Sequence, residues 1–119
     1  MSRLSDSRAA IVDALEAGGV AAATTGQLSA PCVLLEAGDP WSTPQRMPGR
    51  VGRWRLTAIA GRTDSDASLE ELAELVDAID VALGPLAGVE LPTWARPVDY
   101  KLGGVTYAAT VATVQYATS

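Results

Sequence analysis

Hydrophobic positions along this chain recur with two different periods, and the period changes wherever glycine or proline interrupts it. Ile11, Val12 and Leu15 fall on one face at helical spacing behind the possible N-caps Ser5, Asp6 and Ser7, and Gly18-Gly19 follows, so the pattern predicts a short amphipathic helix over residues 6–17. Val20 to Thr25 is small and weakly patterned, and its place between two interruptions suggests a strand, although alanine is a poor strand former. Pro31 opens the compact run Cys32-Val33-Leu34-Leu35, which suits a buried strand. Between Ala37 and Arg50 the sequence holds Pro40, Pro44, Pro48, Gly38 and Gly49 with no clear period, the signature of a long loop or extended arm. Alternation then returns: Trp54, Leu56, Ala58 and Ala60 share one face, while Arg53, Arg55 and Thr57 share the other, predicting a half-buried strand over 51–61.

The second helix carries a stronger signal. Ser68 and Glu71 have the spacing of a capping box, Leu69, Leu72, Val76, Ile79 and Leu83 repeat every three or four residues, and Gly84-Pro85 closes the segment. After a loop with Pro92 and Trp94, Val98–Leu102 and Val105–Tyr116 flank Gly103-Gly104 as a hairpin. With the glycines in the turn, Leu102 pairs with Val105 and Tyr100 with Tyr107. This order predicts one α+β domain over residues 1–119: a mostly antiparallel β-sheet with two α-helices packed on one face, a long proline-rich loop and a C-terminal β-hairpin.

Composition narrows what such a domain can do. At 119 residues the chain suits one hydrophobic core, and it has no apolar run approaching the roughly 20 residues that cross a bilayer. The amino terminus lacks the apolar stretch of a secretory signal, so no membrane and a cytoplasmic site of synthesis are expected. Histidine is absent, which removes Ser-His and Cys-His nucleophile pairs and the usual base near neutral pH. The single cysteine, Cys32, allows no internal disulfide or common Cys/His zinc site, and its apolar neighbours suit a small core residue. Neither Gly18-Gly19 nor Gly103-Gly104 carries the residues of a phosphate loop. No catalytic, cofactor-binding or metal-binding residue is therefore assigned, and an enzyme is not expected.

Charge gives a more specific lead. The net charge is −5, against general affinity for nucleic acid, yet Arg46, Arg50, Arg53, Arg55 and Arg62 form an acid-free stretch. Seven acids follow from Asp64 to Asp80 without an intervening base. Glu70, Glu74 and Asp77 belong to the helix face opposite the leucines, and Glu70 and Glu74 repel each other at i,i+4. They are expected to be solvated, or to meet Arg53 and Arg55, either within one chain or between identical chains arranged head to tail in a ring. Trp54 lies on its strand's apolar side and is expected in the core, whereas Trp41 and Met47, with Arg46 and Arg50, make the 37–50 segment a candidate contact with a neighbouring subunit or partner.

The helix Leu4-Ser-Asp-Ser-Arg-Ala-Ala-Ile-Val-Asp-Ala-Leu15, the segment Pro31-Cys-Val-Leu-Leu-Glu-Ala-Gly-Asp-Pro40, the acidic helix from Leu69 to Leu83 and the closing hairpin together resemble tail terminator proteins of long-tailed bacteriophages, particularly those of actinobacteriophages. The resemblance covers nearly the whole chain in size, element order and texture, without a diagnostic motif. It implies a homo-oligomeric, hexameric ring at the head-proximal end of the virion tail. Such a ring caps the tail tube protein, stops its polymerisation, joins head-tail connector or neck proteins, and lets phage DNA pass without sequence-specific binding. A connector or neck protein of the same virion, and a small non-enzymatic ligand-binding module, are the alternative expectations.

Overall fold

The computed structural model describes residues 3–23, 31–44, 50–61, 65–86, 88–90, 92–102 and 104–118. Helix α1 spans Arg3–Ala17 and α2 spans Ser65–Leu83. The strands are β1 (Ala22–Ala23), β2 (Cys32–Pro44), β3 (Arg50–Ile59), β4 (Val98–Leu102) and β5 (Val105–Thr118), in one sheet of spatial order β1-β2-β3-β5-β4. The four longer strands pair antiparallel, and both helices pack on one face, giving the expected α+β architecture.

The principal core lies between those layers. Ile11 and Leu15 of α1 and Leu72, Ile79 and Leu83 of α2 meet Val33 and Leu35 of β2, Trp54, Leu56 and Ala58 of β3, and Val114 of β5. Strand alternation explains the selection: Trp54, Leu56 and Ala58 point to the helices, while Arg53, Arg55 and Thr57 point to the other face. On that second face, Cys32, Ile59 and Ala109 occupy one register row across three strands and form a smaller buried cluster with Tyr100 and Tyr107. Cys32 is thus a core residue.

Backbone hydrogen bonding closes the carboxyl end of α1. At its carboxyl end, Gly19 takes φ +81°, the Val20 N–H donates to Leu15 O and the Gly19 N–H donates to Glu16 O. These are the two bonds of a Schellman motif, completed by burial of Val20 and Leu15 in the same cluster. Val20 therefore closes a helix instead of opening a strand. The strand expected over Val20 to Thr25 reduces to Ala22–Ala23, parallel to Val33 and Leu34, and Thr24 and Thr25 lie outside the described residues. At the other end α1 begins before the expected position, so Ser7 is an interior helical residue. It is buried, and its Oγ accepts a 3.0 Å hydrogen bond from Trp54 Nε1.

Helix α2 also starts earlier than the Ser68–Glu71 spacing suggests. Ser68 lies within the helix and is buried, while Glu71 Oε1 accepts from the Gly61 N–H just beyond β3. The carboxylate ties the helix to the strand that precedes it. Gly84 ends the helix as expected, its N–H donating to Asp80 O. The closing hairpin matches the sequence register, with Tyr100 opposite Tyr107 and Leu102 opposite Val105. Gly104, at φ +80°, supplies the left-handed conformation that the two-residue turn requires.

The 37–50 segment departs most from expectation, since it is chiefly strand. Of the two forms foreseen, long loop or extended arm, the described part is an arm: β2 continues through Pro44, and Ser42, Thr43 and Pro44 pair with Gly52, Val51 and Arg50. Its irregularity is concentrated in a bulge. Between the pairs Ala37–Trp54 and Ser42–Gly52, β2 has four residues where β3 has one. Gly38 is needed there, because a Cβ would stand 2.8 Å from Arg53 O. The prolines are tolerated because β1 pairs only with Val33 and Leu34, leaving the outer side of β2 without a described neighbour beyond them. Strand β5 extends alongside to Thr118, and the molecule is elongated, 49 × 25 × 23 Å.

Candidate assembly surface

The arm carries one cluster of the residues singled out by sequence. Trp41 is 46 % exposed and stands edge-on to Trp54, with ring centroids 5.7 Å apart and planes at 82°. Trp54 is itself core, held through its indole N–H by Ser7 of α1. The first helix thereby fixes the buried ring against which the exposed one rests. Arg50 is the first residue of β3, in register with Pro44 and Thr118 at the far end of the sheet. Arg46 and Met47 lie outside the described residues.

Arg53 and Arg55 lie on the sheet face that turns away from the helices. Arg55 Nη2 is 2.8 Å from Glu36 Oε1, an ion pair between residues directly opposite on β3 and β2. The sequence reading missed Glu36 because a cross-strand partner becomes visible only once the register is known. Glu70, Glu74 and Asp77 are exposed on α2, on the other side of the sheet layer, and no described cation lies within ion-pair distance of them. Of the two arrangements considered for these charges, contact of Arg53 and Arg55 with the α2 acids inside one chain is thus ruled out by the layering.

A second apolar feature lies at the opposite end of the sheet. The segment 92–97 runs beside β5: the Ala95 N–H donates to Val111 O, Thr110 Oγ1 donates to Ala95 O, and Trp94 Nε1 donates to Asp80 Oδ1 at 3.3 Å. Between this strap and α2 is a groove of about 230 Å³ lined by Leu69, Ala73, Val76, Trp94 and Pro97, with Asp77 at its margin. Leu69 shares the helical repeat of Leu72, yet it is 50 % exposed. Leu69 lines the groove together with Trp94 and Pro97. Among the described residues, no group of three or more His, Cys, Asp or Glu side chains is placed to hold a metal ion.

No family of known proteins matches the sequence, and no curated protein matches it.

Proposed function

We propose that this chain is a non-catalytic assembly protein that joins copies of itself head to tail into a ring, in the manner of the phage tail terminators it resembles. The observation that carries this reading is the segregation of charge onto two layers of one chain. The arginines of β3, with Arg55 paired to Glu36 on the same face, and the exposed acids of α2 are separated by the sheet and its core, so the two surfaces can meet only between molecules. A contact between two different surfaces of identical subunits is heterologous, and such contacts close into rings when the rotation per subunit divides a full turn. Complementary charge adds orientation and association rate to that contact.

In this role the ring caps the tail tube, halts its growth and offers a platform to the head connector. The DNA-filled head then joins without sequence-specific recognition, which accords with the net charge of −5. Native mass spectrometry of the purified chain should give a ring-sized oligomer. Electron microscopy with polymerising tail tube protein should place that oligomer at tube ends and show shorter tubes as its concentration rises. A chain that stays monomeric at all concentrations, alone and with tubes, defeats the proposal.

A further inference from the structure

We infer that the free edge of β4 pairs with the same edge of a second copy, antiparallel and centred on Tyr100, so that Asp99 of each copy stands opposite Lys101 of the other. This two-fold contact goes beyond the head-to-tail reading and does not depend on it. Strand β4 ends the sheet order, with no described strand beyond it. The Ala60 N–H donates to Ala108 O, so Ala108 turns its backbone groups toward β3 and, by alternation, Val105, Tyr107 and Ala109 turn theirs toward β4. Their register partners Leu102, Tyr100 and Val98 answer them, which leaves the N–H and C=O groups of Asp99 and Lys101 pointing away from the sheet. Val98, Asp99 and Lys101 are exposed, and among the described residues those outward groups have no partner.

The edge selects its own partner. Two antiparallel copies can bond only where outward residues meet outward residues, so Asp99 can stand opposite Asp99, Lys101 opposite Lys101, or Asp99 opposite Lys101. Each of the first two registers opposes like charges and joins a single pair of outward residues. The third, centred on Tyr100, engages every outward N–H and C=O of both strands and opposes unlike charges at both ends. A lysine on an edge strand ordinarily deters pairing, and an aspartate two positions away reverses that effect for an antiparallel copy of the same strand. Both charges sit on one face of one strand, and neither has an ion-pair partner among the described residues. On the other face Tyr100 meets its counterpart in a non-hydrogen-bonded pair, the closer of the two kinds, and extends the row that it forms with Tyr107. Such an isologous contact saturates at two copies and covers the open edge in both.

The test uses the full-length chain. Hydrogen exchange read by mass spectrometry should show the segment 98–102 gaining protection as protein concentration rises. Asp99→Lys or Lys101→Asp alone opposes like charges at both ends of the contact, so about tenfold more protein should be needed for the same protection. The double variant, and an equimolar mixture of the two single variants, restores unlike pairs and should recover it. Cross-linking fixes the register: in Tyr100→Cys the paired Cα atoms lie about 4.5 Å apart, within disulfide range, so mild oxidation should give a covalent dimer. In Val98→Cys four strand positions, roughly 13 Å, separate the two thiols, and that variant should stay uncross-linked. Native Cys32 is buried and does not compete. Circular dichroism checks that each variant is folded, and if Tyr100→Cys is not, the exchange series on the charge variants decides alone. Unprotected 98–102 at every concentration, single reversals without effect, a mixture that fails to recover, or Val98→Cys cross-linking as readily as Tyr100→Cys overturns the proposal. A ring that forms while this segment stays unprotected overturns it too, and leaves the head-to-tail reading standing.

Discussion

The hydrogen bond from Trp54 Nε1 to Ser7 Oγ gives a direct test of how the helical layer supports the arm. In Ser7→Ala the helix keeps a good helix former, but the indole N–H remains buried without its hydroxyl acceptor. Leaving one buried donor unsatisfied costs about 1–3 kcal/mol. For 119 residues at about 2.1 cal/mol/K each, the entropy of unfolding is roughly 0.25 kcal/mol/K, so the melting temperature should fall by about 4–12 °C. Thermal unfolding followed by circular dichroism reads this directly, and denaturant titration with an unchanged slope would show that the native state alone is affected. The decisive comparison is Ser7→Ala in a Trp54→Phe background, where no indole N–H remains to be orphaned. There the same change should cost less than about 0.5 kcal/mol, the difference being the coupling between the two side chains. Equal costs in both backgrounds would refute the idea that this bond, and not the serine's packing, secures Trp54 beneath Trp41.

Three further expectations follow from the same geometry. Gly38→Ala forces a Cβ against the Arg53 backbone and should destabilise the fold by about 1–3 kcal/mol, measured by denaturant unfolding, with loss of assembly if the arm is re-aimed. Glu36→Gln breaks an ion pair whose side chains are 51 % and 39 % exposed, so stability should change by no more than about 1 kcal/mol, and salt should shrink the difference. Cys32 is buried beside Ile59 and Ala109, so a thiol reagent should leave it unmodified in the native protein and label it stoichiometrically after denaturation.

Local signals revealed much of this fold where local chemistry decides it. Gly18-Gly19 and Gly84-Pro85 end the helices, alternation in β3 separates the tryptophan face from the arginine face, and the two glycines set the Tyr100–Tyr107 register. What escaped the sequence depends on partners distant along the chain. Pro40 and Pro44 read as loop residues because their tolerance comes from the open outer side of β2 and from pairing with β3, neither of which local punctuation encodes. Ser7 read as a cap although it lies inside α1, where its hydroxyl accepts from Trp54, 47 positions away, and the bond from the Gly61 N–H to Glu71 links positions that local spacing does not connect. For the candidate surface, the opposed charge blocks and Trp41 were legible, whereas the groove was not. Leu69 satisfies the helical period, and the period alone does not show that it lines a groove with Trp94 and Pro97.

The bulge in β2 also resets the phase of the arm relative to the body. Its surplus over β3 is three residues, an odd number, so odd-numbered positions face the helices before it (Val33, Leu35, Ala37) and even-numbered ones after it, beginning with Ser42 opposite Gly52. One added or deleted residue among 38–41 would either change the size of the bulge or slip the arm by one residue against β3, and the slip would turn the other side of β2 toward a neighbour with the core pairs untouched. The arm's orientation is in this way adjustable separately from the fold that carries it, a parity setting through which related chains could fit differently shaped neighbours while conserving one body.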